Sequence, residues 1–285
     1  MLFTGARRLA GPFLAIVGIG VGVGLGMALP APLAAQGDLL IAPTRIILDG
    51  RRGGEVILSN IGDEEATYRV KLELRRMTPE GELEPVDEGA ANVTEQAALE
   101  MIRYAPRRVI LPPGEPQAIR ISARPGAELP DGEYRVHMSF AALPKVRPVA
   151  APGDDASAEG FSVRITPIYG ITMPIIIRKG QLEVAGGLAN PRLEESVDGP
   201  IFAVDISRTG QASLYGDLLV YGRGSDEPVF LARGLGVYPE IDSRHSSFVV
   251  SPEQAAAMRG PVRVELREPV QFGGALIAAV DTVLR

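Results

Sequence analysis

Three scarcities in this chain of 285 residues limit what it can do. It has no cysteine, which excludes both a disulfide framework and a thiol nucleophile. Its two histidines, His137 and His245, leave few arrangements for a metal site or for a histidine base. With 29 basic and 35 acidic residues, its formal charge is −6. Nucleic acids and anionic membrane surfaces are therefore poor partners for this protein.

The sequence also lacks the short motifs that mark common enzyme sites. It has no Gly-x-Ser-x-Gly elbow, no His-Glu-x-x-His and no phosphate loop of the form Gly-x-x-x-x-Gly-Lys-Ser/Thr. We therefore predict that the protein is not an enzyme, holds no cofactor or metal, and binds other proteins. A carbohydrate-active sandwich with two catalytic carboxylates is a distant alternative, because the sequence does not show which carboxylates face each other.

The first 35 residues have the order of a secretory signal peptide. Arg7 and Arg8 precede an apolar, glycine-rich run from Phe13 to Leu29, and a stretch of small residues ends at Ala35. We predict cleavage after Ala35 and export to the periplasm. The remaining 250 residues suit two domains of ordinary size, and their 27 basic and 35 acidic residues give a formal charge of −8. The alternative is an uncleaved membrane anchor, because the apolar run is nearly long enough to span a bilayer.

From Leu39 onward, short apolar runs alternate with turn residues, a pattern typical of β-sandwiches. In the first half the runs are Ile41 to Leu48, Glu55 to Ser59, Tyr68 to Leu74, Arg107 to Leu111, Ala118 to Ser122 and Tyr134 to Phe140. They resume at Leu182 to Val184, Ile201 to Ser207, Gly216 to Tyr221, Val229 to Ala232, Ser247 to Val250, Val262 to Leu266 and Ala275 to Val280. We predict an all-β chain with one sandwich over 36–178 and another over 179–285.

Between these halves lies the segment with the most distinctive pattern. Residues 144–160 are rich in proline, alanine, glycine and aspartate, and we predict a mobile loop there. The apolar residues that follow share one parity: Phe161, Val163, Ile165, Tyr169, Ile171, Met173, Ile175 and Ile177. This alternation predicts an extended strand over 161–177, interrupted at Pro167 and Pro174, which favour an edge or a bend. Taken alone, it favours an ordinary core strand.

Five stretches of the first half occur in a characteristic order and spacing. They are Pro43 to Gly50, Val56 to Asn60, Tyr104 to Gly114, Gln117 to Ile121 and Leu129 to Val136. Together they resemble the periplasmic chaperones of the chaperone-usher pilus pathway, the PapD-like family. The second half resembles that family in its strand rhythm and in the stretch from Thr209 to Leu218. The resemblance implies two tandem immunoglobulin-like domains in a boomerang arrangement.

The resemblance also implies a function. Such a chaperone binds pilus or fimbrial subunits that lack their final strand and delivers them to an outer-membrane usher. Its last first-domain strand fills the groove of the subunit by β-augmentation. In this chain that donor strand would present Phe161, Val163, Ile165 and Tyr169.

An exposed apolar strand is an aggregation hazard, so we expect the 144–160 loop to shield it or the free protein to self-associate. The alternative to the chaperone is an immunoglobulin-like accessory or structural protein of the cell surface that lacks strand donation. Pro167 and Pro174 favour this alternative.

In the family, a basic pair in the cleft between the domains anchors the terminal carboxylate of the subunit. Arg45 occupies the arginine position of that pair, and a guanidinium can grip a carboxylate. Pro174 stands where the family has its lysine, so the candidate replacements are Arg164, Arg178 and Lys179. For Arg45 the alternative is a solvated strand arginine.

Two further residues fall on positions that contribute to a buried salt bridge between the domains of the family. They are Arg120 and Glu133, and Asp281 is a candidate third member by its position. Such a network would fix the angle between the domains, although by itself it says little about stability.

Overall fold

The structure is a computed structural model that describes residues 39–144 and 170–285. The predicted signal peptide, residues 145–160 of the predicted loop, and the predicted donor residues Phe161, Val163, Ile165 and Tyr169 lie outside the described residues. Within the described ranges, neither of the two α-helices is long and apolar enough to cross a membrane.

Ten strands of the described residues form the first sandwich. They are β1 (Leu39–Ala42), β2 (Ile46–Leu48), β3 (Gly54–Asn60), β4 (Ala66–Met77), β5 (Leu83–Val86), β6 (Ile102–Ala105), β7 (Arg108–Leu111), β8 (Pro116–Ala123), β9 (Gly132–Leu143) and β10 (Gly170–Lys179), with a 3₁₀ turn at Glu88–Ala90 and helix α1 (Val93–Met101). One sheet has the order β1-β3-β8-β6, and the other has β2-β10-β9-β4-β5, with β7 also paired to β4. Side chains of one parity from both sheets fill a common core, whose largest members include Tyr68, Phe140 and Ile119.

The chain changes sheets between β1 and β2. β1 pairs with β3 in one sheet, whereas β2 pairs with β10 in the other. Pro43 begins the crossing, and it cannot donate to either ladder because it has no N–H group. As a result, β2 reaches the edge of β10 only at Ile46.

β10 is the described part of the predicted extended strand. It pairs antiparallel with β9 over all ten residues, but parallel with β2 only from Ile175 to Ile177. The strand is continuous through Pro174, which stands just before the second pairing begins. Met173, Ile175 and Ile177 are buried in the core, so this part of the apolar face is an ordinary core strand.

Seven strands form the second sandwich. They are β11 (Val184–Ser196), β12 (Gly199–Gly210), β13 (Leu214–Tyr221), β14 (Pro228–Val237), β15 (Ser243–Val249), β16 (Gly260–Arg267) and β17 (Leu276–Leu284), with helix α2 (Pro252–Met258) and a 3₁₀ turn at Val270–Phe272. The sheets have the orders β11-β12-β15 and β14-β13-β16-β17, and they enclose a second core around Phe202, Ile206 and Leu218. The prediction of an all-β, two-sandwich fold is confirmed.

The second sandwich covers the outer face of the sheet that contains β9 and β10. Ile176, which points away from the first core, packs with Met77 and Tyr238. The Arg135 guanidinium lies 3.7 Å from the centroid of the Tyr238 ring, and its Nη1 donates to Oε2 of Glu240 at 3.1 Å. The backbone N–H of Met77 donates to Oε1 of the same carboxylate at 2.7 Å. An aromatic ring and a carboxylate of the second sandwich therefore hold the outer face of the first.

His137 is buried on this same face, with its ring 6.3 Å from the ring of Tyr238. Burial is the main reason that its pKa falls to about 3, and the charges of Arg135 and Arg75 lower it further, against a smaller opposing effect of Glu73. The imidazole is therefore neutral in the folded protein at neutral pH.

This burial predicts a pH dependence of stability. Between about pH 3 and pH 6.5 the unfolded state binds the proton at His137 and the folded state does not, so the free energy of unfolding falls as the pH falls through that window. The contribution of His137 is up to about 1.4 kcal/mol for each pH unit. We expect H137Q to flatten the dependence, measured by denaturant unfolding from neutral pH down to about pH 4. Carboxylates such as Glu73 remain in both proteins, so the difference between the two slopes isolates His137, and equal slopes would contradict the prediction.

Candidate functional site

A cleft of about 330 Å³ lies between the two sandwiches, beside the start of β2 and the end of β10. Arg45 and Arg178 line it from the first sandwich, and Ser213, Tyr215 and Phe272 line it from the second. The cleft therefore has a basic side and a largely apolar side.

Strand register explains why the two arginines lie on the same face. Ile176 of β10 is level with Ile47 of β2 on one side and with Arg135 of β9 on the other. Residues that are level across a sheet point to the same face, and so do residues two positions apart along a strand. Arg45 and Arg178 are each two positions from this row, which places both on the face that the second sandwich covers.

Glu133 links the two sandwiches by binding Arg178 and Ser213, two residues that line the cleft. Its side chain is 1% exposed. Its Oε2 accepts hydrogen bonds from the backbone N–H of Ser213 at 2.9 Å, from the Ser213 hydroxyl at 3.0 Å and from Nε of Arg178 at 3.1 Å. Nη2 of Arg178 also donates to the Ser213 carbonyl oxygen at 3.2 Å. One buried carboxylate oxygen thus binds residues of both sandwiches, by bonds that its charge strengthens.

Among the described residues, the hydrogen bonds of Arg45 leave two of its donor nitrogens unpaired. Its Nη2 donates to the Ser213 hydroxyl at 2.9 Å, and its guanidinium carbon lies 4.3 Å from the centroid of the Tyr215 ring. Its Nε and Nη1 are buried and have no hydrogen-bond partner among the residues that the structure describes. Burial lowers the pKa of Arg45, and the nearby Tyr238 and Glu133 work against that effect. Arg45 is therefore not a solvated strand arginine, but a largely buried cation of which two donor nitrogens are closed off from solvent and unpaired among the described residues.

Of the other two candidate replacements for the family lysine, Arg164 lies outside the described residues and Lys179 lies away from the cleft. Its ammonium group donates to the carbonyl oxygens of Ala127, at 3.0 Å, and of Leu129, both in a turn of the first sandwich. Consecutive residues of a strand point to opposite faces, so Arg178 and Lys179 cannot both enter the cleft. The structure brings Arg45 and Arg178 together and leaves Lys179 out.

The predicted salt bridge of Arg120, Glu133 and Asp281 is not formed by these three residues. Arg120 is exposed on β8, in the sheet that does not face the second sandwich. Asp281 lies on β17 and binds Nη1 of Arg263 at 3.0 Å. Of the three, Glu133 alone joins the sandwiches, and it does so through Arg178 and Ser213. The prediction is wrong for Arg120 and Asp281, because a position in a family pattern does not fix the partner of a charged side chain.

No sequence pattern predicted a role for the individual residues that the second sandwich contributes. Ser213 and Tyr215 flank the start of β13, and Tyr238 and Glu240 follow β14. A serine or tyrosine at a strand end has no distinctive pattern, and only the packing of the two sandwiches brings these residues to Glu133, Arg45 and Arg135.

The edge of β10 leads directly to Arg45. From Gly170 to Pro174, β10 is paired with β9 alone among the described residues, because the chain enters β2 only at Ile46. A strand added to this edge parallel to β10 would lie in line with β2, and its carboxyl terminus would arrive at Arg45. An antiparallel strand would instead bring an ammonium group to the two arginines, which charge repulsion disfavours.

Comparisons with known proteins gave matches among solved structures. No family model matches the chain, and no curated protein matches it at the significance required. The chain is similar to one from the CsuC-CsuE chaperone-tip adhesion subunit pre-assembly complex of archaic chaperone-usher Csu pili of Acinetobacter baumannii, with 10% identity, coverage of 87% of this chain and 99% of that chain, and a TM-score of 0.44. For the E. coli chaperone DraB the identity is 11%, the coverage 87% and 97%, and the TM-score 0.43. For the Pseudomonas aeruginosa CupB2 chaperone the values are 14%, 86% and 100%, and 0.43.

The bonds of Glu133 predict the effect of removing its charge. We expect E133Q to lower the free energy of unfolding by about 2 kcal/mol, because Arg178 loses the carboxylate that it pairs with and Ser213 loses a charged acceptor. Chemical denaturation monitored by circular dichroism measures this change as a lower midpoint. E115Q, which alters an exposed carboxylate in a turn of the first sandwich, is the matched control. Equal midpoints for the two variants would show that Glu133 does not hold the sandwiches together.

Proposed function

We propose that this protein is a periplasmic, non-enzymatic chaperone of the chaperone-usher type, which captures pilus or fimbrial subunits by strand addition and delivers them to an outer-membrane usher. The observation that carries the proposal is the geometry of one edge: the part of β10 that β2 leaves unpaired ends at Arg45, beside Arg178. The resemblance of the first half of the sequence to the PapD-like chaperones supports the same function.

The edge and the anchor act together in this proposal. Backbone groups of β10 from Gly170 to Pro174 pair with the last strand of the subunit, which supplies affinity without depending on side chains. The terminal carboxylate of that strand accepts hydrogen bonds from Arg45 and pairs with the charge of Arg178. The anchor fixes where the strand stops, and therefore fixes its register along β10.

The apolar parity of the strand supplies the remaining contact. Tyr169 directly precedes β10, and with Phe161, Val163 and Ile165 it continues the parity that faces the core at Met173. Under the proposal these four side chains enter the groove of the subunit, replacing the strand that it lacks. The strand predicted over 161–177 would join these four residues to the edge, so groove filling and edge pairing would engage one subunit at once.

One observation favours the alternative of an accessory or structural protein without strand donation. Pro174 lies within β10 beside the edge, and a proline removes one N–H group from the strand. In that case the cleft would be a structural joint between the sandwiches, and the chain would not retain strand-deficient subunits.

Co-expression with fibre subunits encoded near the gene separates these two functions. We expect the wild-type protein to co-purify with a subunit from periplasmic extracts, and the double variant V163D/I165D to lose it, because charged side chains cannot enter an apolar groove. V249D is the control, since it introduces the same charge at an exposed apolar residue of β15. Retention of the subunit by V163D/I165D at the level of V249D would reject strand donation through this segment.

A second variant tests the anchor. We expect R45M to weaken subunit binding about tenfold or more, which is the usual effect of losing a hydrogen bond to a charged group. Titration of the purified protein with refolding subunit measures this change. R120M removes an exposed arginine of the other sheet and should bind like wild type. Equal affinities of R45M and R120M would show that the cleft does not hold the subunit terminus.

A further inference from the structure

The cleft also has an apolar wall beside its two arginines. Ile47 of β2 is 46% exposed, and Val184 at the start of β11 is 39% exposed. Phe272, in the connection between β16 and β17, is 59% exposed, and Pro269 and Ile277 complete the wall. Apolar side chains from three separate parts of the chain therefore meet around one opening and remain accessible to solvent.

The local backbone holds Phe272 in this position. Residues Val270–Phe272 form a 3₁₀ turn that begins after Pro269. Gly273 and Gly274 follow with φ of 114° and 68°, a region of backbone conformation that L-residues other than glycine rarely adopt. The two glycines turn the chain back into β17 directly after Phe272. An exposed phenylalanine on a short, conformationally restricted turn costs little further entropy when it binds a partner.

The charges around the cleft restrict what can bind there. Arg45 lines the cleft and brings a positive charge to it, which suits a carboxylate. The side chain of Glu268 also lines the cleft, and a second negative charge on a ligand would meet it. The combination of one anion-binding group, an apolar wall and a nearby carboxylate matches a chain terminus whose last side chain is apolar. It does not match a terminus that ends in aspartate or glutamate.

We propose that the wall formed by Ile47, Val184, Pro269, Phe272 and Ile277 binds the last side chain of the captured subunit and selects an apolar residue there, while Glu268 disfavours an acidic one. This inference rests on the function proposed above and adds a specificity determinant to which the second sandwich contributes four of the five residues. A strand added parallel to β10 ends at Arg45, so its last side chain on the outer face of the sheet points toward this wall.

Short peptides test the inference without a subunit. The probe is a fluorescein-labelled peptide of alternating valine and threonine residues that ends in phenylalanine with a free carboxylate. Two companions end in aspartate or carry a terminal amide on phenylalanine. Fluorescence anisotropy with the full-length protein should show about tenfold tighter binding of the phenylalanine peptide than of the aspartate peptide, as expected for burying part of an aromatic ring.

Variants assign the two preferences to different residues. F272S should remove most of the preference for phenylalanine and keep the preference for carboxylate over amide, whereas R45M should do the reverse. E268Q should strengthen binding of the aspartate peptide alone. V197S, which changes an exposed apolar residue in the β11–β12 turn, is the control and should behave like wild type.

Each outcome bears on the inference separately from the chaperone function. A preference for phenylalanine that F272S leaves unchanged overturns the assignment to this wall, even if R45M shows that the carboxylate anchor exists. Failure of every peptide to bind also overturns it, whether or not whole subunits are captured. Loss of subunit capture in V163D/I165D tests strand donation only. The peptide measurements decide the inference about the wall, whatever that result is.

Discussion

The arrangement of the two sandwiches depends on one buried carboxylate. Glu133 belongs to the first sandwich, yet two of the three hydrogen bonds to its Oε2 come from Ser213 of the second. The desolvation of a carboxylate is costly, and these bonds together with Arg178 offset that cost. Because Ser213 also accepts a hydrogen bond from Arg45, the same serine positions the cation of the cleft. The joint between the sandwiches and the candidate binding site are therefore built from the same few atoms.

The outer face of one sheet carries both the joint and the site. Arg135 and His137 on β9, and Ile176 on β10, all point away from the first core and lie against Tyr238 or its neighbours. Alternation along each strand thus serves two surfaces: one parity fills the core, and the other meets the second sandwich. A single-residue slip in the register of β10 would exchange these roles, and would remove Arg178 from the cleft together with Ile177 from the core.

Strand alternation and turn residues were sufficient to predict two sandwiches, whereas Arg45 and the three candidates that included Arg178 came from the resemblance to the PapD-like family. The period of two is a local property, so it can be read from the chain without knowing what packs against it. The partners of charged side chains are not local. Arg120 and Asp281 were expected to meet Glu133, but they lie in other sheets, and Ser213 became visible only when the sandwiches were seen together. Met173 and Ile175 show that alternation can be ambiguous. They are buried in the core, and burial in a core produces the same alternation of apolar residues that a donor strand would show.

The chain crosses between sheets at Pro43, and for this reason the first core is complete whether or not a further strand pairs with the edge of β10. β2 seals the first core beside Ile175–Ile177 whether or not another strand lies along Gly170–Pro174. A strand added from another protein would therefore extend the sheet without contributing to the core that stabilises it. Such a strand could bind and dissociate while the first sandwich stays folded. One molecule could therefore bind several partner strands in succession without refolding.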